Sequence, residues 1–92
     1  MNAKAKGTKN EHRTMAILEA AGYRCTRSAA SLGEWDVVGI GVSDVVLVQV
    51  KSTRGPRPAE MDALREFHVP RGVRKLVHVW KPRRRLPEVT EL

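Results

Sequence analysis

The chain has 92 residues and a mass of 10.3 kDa, room for one small domain and not for a second core. Its 17 lysines and arginines outweigh 10 aspartates and glutamates, and the resulting charge of +7 points to a polyanionic partner. Apolar residues at 41% are too many for a disordered tail, and aromatics at 4% argue against a base-stacking platform.

In chain order, residues 1–7 read as a basic, mobile lead-in. Residues 8–11 have the spacing of a capping box, so a helix is predicted over 13–21, with Gly22 as its stop. At helical spacing Met15, Ile17, Leu18 and Ala21 form an apolar arc that also contains Glu11 and Thr14, so Glu11 is expected to face the body of the domain. Residues 23–27 suit a short strand, followed by a small polar loop at 28–31. Two β-branched runs, 35–40 and 45–50, flank a natural hairpin loop at 41–44. A Gly/Pro loop at 52–58 leads to a helix over 59–67, with Met61, Leu64 and Phe67 inward. A turn at 70–72 precedes a last strand over 73–80, and residues 81–92 read as a peripheral basic tail. The order αβββαβ predicts a single α/β domain, a sheet covered by helices.

Charge is unevenly placed along this order. Lys4, Lys6 and Lys9 open the chain, and Arg71, Arg74, Lys75, Lys81, Arg83, Arg84 and Arg85 crowd its last third. Residues 28–50 contain no lysine or arginine, yet Glu34, Asp36 and Asp44 all fall there. With a four-residue loop, Ile40 faces Val45, Val38 faces Leu47 and Asp36 faces Gln49. Lys51 shares the face of Gln49, so a carboxylate, an amide and an ammonium group converge at the open end of an apolar hairpin. The oxygens of Asp36 and Gln49 and the Val50 carbonyl would suit Mg²⁺ or Mn²⁺, with Glu11 as a further candidate ligand or base. The same residues also read as a strand-end ion pair beside an edge glutamine, with Glu11 as the third position of its cap. Both readings stand on these residues alone.

Asp36 followed by Gln49-Val50-Lys51 resembles the signature of the PD-(D/E)xK nucleases, which have the restriction-endonuclease-like fold. Lys6-Gly7, Glu11, Leu18, Gly22-Tyr23, Arg27-Ser28-Ala29-Ala30-Ser31, Gly33, Asp36-Val37-Val38 and Gln49-Val50-Lys51-Ser52 follow the order of archaeal-type Holliday-junction resolvases. The resemblance implies a mixed central sheet flanked by helices. It implies Glu11, Asp36 and Gln49 as the acidic and metal-binding set, Lys51 as the catalytic lysine and Ser31 as a loop serine near the scissile phosphate. The implied activity is Mg²⁺-dependent resolution of four-way junctions by paired symmetric cuts, with branched DNA as partner and a homodimer as the working form. Gln49 departs from the acid usual there, and Trp35 stands in place of the motif's proline.

Lys6, Lys9, Arg27, Arg54, Arg57 and Arg83 are the residues expected at the DNA-holding rim. His12, His68 and His78 lack ligand spacing, Cys25 suits a small buried position, and Trp35 and Trp80 suit core packing. The single cysteine excludes a disulfide framework within one chain. No apolar run reaches the length of a membrane span and residues 1–10 lack a signal-peptide core, so a cytoplasmic protein is expected, and the resemblance implies a prokaryotic, archaeal or phage source without choosing among them. Two other functions fit the same chain: a restriction-like or repair nuclease on linear, flap or single-stranded DNA, and a non-catalytic DNA-binding module.

Overall fold

In the computed structural model, which describes residues 3–28 and 33–92, strand β3 (Val45–Ser52) is the centre of the molecule. Its β-branched run pairs antiparallel with β2 (Val37–Ile40) and parallel with β4 (Val73–Trp80). The order across the sheet is β1-β2-β3-β4-β5, with β1 at Arg24–Arg27 and β5 at Glu88–Glu91. Helix α1 (Ala3–Ala20) precedes the sheet, and α2 (Pro58–Glu66) is the crossover that a parallel β3–β4 pair requires.

Alternation along the strands assigns the two faces. Val37, Val46, Val48 and Leu76 pack with Leu18 of α1, joined by the half-buried Met15, Tyr23, Cys25 and Val50. Leu47, Val77 and Val79 pack on the other face with Trp35 and Leu64 of α2. A Cβ at Gly39 would lie 2.9 Å from Val46 Cγ2 and 3.4 Å from Leu18 Cδ1, so the bare backbone lets α1 come close.

The expected hairpin register is observed, with Ile40 opposite Val45 and Val38 opposite Leu47. Gly22 stops α1 as expected: at φ 100° its N–H bonds to the Glu19 carbonyl and the Tyr23 N–H to that of Leu18, the Schellman pattern. The start of α1 differs from expectation. Residues 3–7, read as a mobile lead-in, are helical, and the 8–11 capping box lies inside the helix. Alanine and lysine favour the helical backbone there, and Asn10 bonds to Ser52 while Lys6 bonds to Thr53, so tertiary contact carries the helix past the local cap signal.

The C-terminal segment also departs from expectation. Residues 81–92, read as a peripheral tail, include β5, whose Glu88 and Glu91 pair with Val79 and Leu76. The Arg74 guanidinium donates to both Glu91 oxygens at 2.8 Å, and the Leu92 N–H donates to Lys75 O at 2.9 Å. Lys75 is buried rather than part of a basic surface. Its ammonium donates to the carbonyls of Leu64, Arg65 and Phe67 at 2.8, 2.8 and 2.9 Å and so caps the C-terminal end of α2. No helix among the described residues is long and apolar enough to cross a membrane.

His78 and Trp80 face α1 and share one buried partner. Trp80 Nε1 donates to Thr14 Oγ1 at 2.9 Å, and Thr14 Oγ1 shares a hydrogen bond with His78 Nδ1 at 3.1 Å. Burial pushes the His78 imidazole down to about 4.

Lys75→Met should lose roughly 2–4 kcal/mol of unfolding free energy in urea titration, because three carbonyls lose a charged donor. For His78, whose folded value lies below its unfolded one, stability is full above the unfolded value and falls as the pH drops from about 6.5 towards about 4. The expected loss is on the order of 3 kcal/mol, and His78→Gln should flatten that part of the unfolding-against-pH curve.

Candidate metal centre and nucleic-acid interface

The hairpin register carries Asp36 to the end of β3. Its backbone continues the ladder, with the Asp36 N–H donating to Val48 O and the Ser28 N–H to Asp36 O, each at 2.9 Å. Trp35 anchors this turn. It is fully buried and meets Phe67 edge-on at 5.6 Å, and its carbonyl accepts a bond from the Ser28 hydroxyl. Packing of Trp35 therefore fixes the backbone that leads into Asp36.

Asp36 and Gln49 meet at the predicted register, but through the Gln49 amide nitrogen rather than the amide oxygen expected of a ligand. Asp36 Oδ2 accepts from the Val50 N–H at 2.8 Å and from Gln49 Nε2 at 3.1 Å. Burial pushes the Asp36 carboxyl up from its ordinary value. The Val50 N–H pulls the other way, the Glu11 charge raises it, and Lys51 and Gln49 lower it. Glu11 is partly buried, in line with the inward helical arc, and near enough for its charge to act on Asp36, but its bonded partner is Arg27, whose Nε donates to Glu11 Oε1 at 2.8 Å.

Lys51 is on the expected strand face and close enough for its charge to act on Asp36, but its hydrogen-bond partner comes from outside the hairpin. Nζ donates to Glu60 Oε2 at 2.9 Å, and Glu60 Oε1 accepts from the Arg57 N–H at the start of α2, also at 2.9 Å. Sequence reasoning missed Glu60. Its signal was a proline at the first helical position with a glutamate two residues later, a helix-start pattern with nothing local to indicate the lysine. Ser31, with Ala29 and Ala30, lies outside the described residues.

The oxygens that could hold a cation are the second oxygen of Asp36, the Gln49 amide oxygen and the Val50 carbonyl, with Glu11 alongside. No group of three His, Cys, Asp or Glu side chains gathers for a metal among the described residues. The set still fits a hard divalent ion, because burial and a second carboxylate together leave Asp36 short of positive charge.

A cleft of about 350 Å³ opens beside the same end of the sheet, lined by Lys6, Lys9, Asn10, Arg13, Trp80, Lys81, Pro82 and Arg83. None of these lining residues is acidic. The cleft joins the site through Asn10 Nδ2 bonded to Ser52 Oγ at 2.6 Å and Lys6 Nζ bonded to Thr53 Oγ1 at 2.9 Å. Lys6, Lys9 and Arg83 were expected at a DNA rim. Arg13 and Lys81 were not, and a helical wheel alone does not place Arg13 over Trp80, 3.9 Å from its ring centre. Arg54 and Arg57 are exposed on the loop after Lys51, and Arg27 is turned to Glu11. His12 and His68 are exposed, while Cys25 packs at the edge of the α1-side core.

The fold is similar to that of a Holliday junction resolvase, Hjc, from the archaeal hyperthermophile Archaeoglobus fulgidus, with a TM-score of 0.73 over 94% of this chain and 72% of that one. Sequence identity is 23%, so the likeness establishes the fold, a mixed five-stranded sheet with two helices. No protein-family model matches the chain, and no curated protein matches it.

An acid whose folded value is raised has its charged form disfavoured by folding, so ionised Asp36 costs stability at neutral pH, and this cost disappears as the pH falls through its folded value. Asp36→Asn should therefore melt at or above the parent temperature at pH 7. The gap should close on acidification, as read by thermal unfolding across pH.

Proposed function

We propose that this chain is a divalent-metal-dependent endonuclease that resolves four-way DNA junctions as a homodimer. The observation that supports the reading is Asp36 bonded by Gln49 and the Val50 N–H at the end of β3, with Lys51 close enough for its charge to act on Asp36, in a fold similar to that of a Holliday junction resolvase. The basic cleft beside that strand end supplies the surface a phosphate backbone needs.

Asp36, Gln49 and the Val50 carbonyl would hold Mg²⁺ or Mn²⁺, with Glu11 as an additional ligand. When bound, the ion supplies a Lewis acid for a phosphate oxygen and an acidified water. Lys51 neutralises charge that develops on the phosphoryl oxygens. Glu11, held by Arg27 in the free protein, is freed when Arg27 turns to DNA and then either ligates the ion or accepts a proton from the attacking water. Gln49, with its amide nitrogen on Asp36, fixes the carboxylate without adding a charge, which implies weaker metal affinity than two carboxylates would give. Ser31 is proposed to contact the scissile phosphate. Lys6, Lys9, Arg54, Arg57 and Arg83 hold the flanking backbone, and Arg27 joins them when DNA draws it from Glu11.

A four-way junction needs two cuts related by two-fold symmetry, and an isologous dimer provides two sites in that relation. A second reading, DNA binding without cutting, draws on one observation: Gln49 removes the second charge from the strand-end pair.

The test uses labelled four-way junction, flap, linear duplex and single strand, each with Mg²⁺ and with EDTA. Paired symmetric nicks confined to the junction are expected, and Asp36→Asn should reduce them by about two orders of magnitude or more while junction binding persists. Equal cutting of linear duplex or flaps would replace the junction reading with a repair or restriction-like one, and binding without cutting would favour the second reading.

A further inference from the structure

We propose that Glu60 is the positioning residue of Lys51, fixing the ammonium group by tying it to the first turn of α2. The inference rests on the nuclease reading of Lys51 and adds a residue from an element outside the hairpin that carries the site.

Both oxygens of the Glu60 carboxylate are engaged. Oε1 accepts from the Arg57 N–H at 2.9 Å and Oε2 from Lys51 Nζ at 2.9 Å. Lysine carries four methylenes and a large rotamer entropy, so an ammonium at a strand end samples many positions unless something holds it. Glu60 can do this because its own helix is anchored at both ends. Pro58 sets the backbone at the first helical position, Leu64 is fully buried, and Lys75 binds the last carbonyls. Lys51 and Glu60 are 29% and 44% exposed, so water and an incoming phosphate reach the pair. At that exposure the pair contributes little to stability, and its effect is on geometry.

Glu60→Gln tests the assignment, since the amide oxygen can still accept from Arg57 while the ion pair to Lys51 is lost. Two readouts are taken on the parent, on Glu60→Gln and on Asp62→Asn, a control on the same helix. The first is the rate at which an amine-acylating reagent labels Lys51, followed by peptide mass spectrometry with Lys4 as internal reference. The second is kcat and KM on a labelled four-way junction. Several-fold faster labelling of Lys51, with kcat lowered about tenfold at unchanged melting temperature and KM no higher than the parent's, is the expected result. Unchanged labelling overturns the contact. Unchanged kcat overturns the positioning role, and a raised kcat overturns it in favour of an inhibitory carboxylate. A parent that cuts no DNA overturns the nuclease reading and this role with it, whereas an active parent whose kcat Glu60→Gln leaves unchanged overturns the role of Glu60 alone.

Discussion

The structure depends on β3 being covered on both faces. A strand paired on both edges satisfies its backbone through the ladders, but its side chains must then find two apolar layers. Val46 and Val48 find α1, and Leu47 finds α2. Because β3 pairs parallel with β4, the chain has to cross over, and α2 is that crossover. The end of β3 therefore meets three elements at once: the start of β2, the middle of α1 and the first turn of α2. Asp36, Asn10 and Glu60 come from those three and all bond to residues 49–52.

That arrangement places a charge conflict next to a packed core. Burial and Glu11 both work against the Asp36 charge, while the Val50 N–H, Lys51 and Gln49 work for it. A group held in such a balance has its charged form disfavoured by folding, and positive charge brought close to it would ease that cost. The surrounding positive charge is separated from it. Lys6, Lys9, Lys81 and Arg83 line the adjoining cleft, whereas Arg74 and Lys75 serve the fold through Glu91 and the end of α2. A formal charge of +7 thus overstates the surface available to a polyanion.

Much of this was legible before any coordinates, for a simple reason. The hairpin pairs follow from a four-residue loop and a period of two, so Asp36 opposite Gln49 was fixed by counting. The inward Glu11 followed from helical spacing, and the burial of Trp35 and Trp80 followed from their place at strand ends. The start of α1 was misread because a capping box can also occur within a helix, and only Ser52 and Thr53 approaching from β3 show that the helix continues through it. The tail was misread because two prolines and a run of arginines look like a peripheral segment, while β5 is held by an edge ladder and by Glu91 on Arg74.

By itself, the sequence determined what short-range periodicity can determine: the types of six of the seven described elements, the hairpin register and Asp36 beside Gln49 at its open end. Tertiary structure alone decided which charges are free and which are used. Lys75 turned inward to cap a helix, Arg27 turned to Glu11, and Lys51 was tied to a glutamate on another element. Each of those pairings joins residues 8 to 16 positions apart through the folding of different elements onto one another, beyond the reach of any local pattern. The positive charge counted along the chain therefore names a partner class, and the fold decides which cations can meet it.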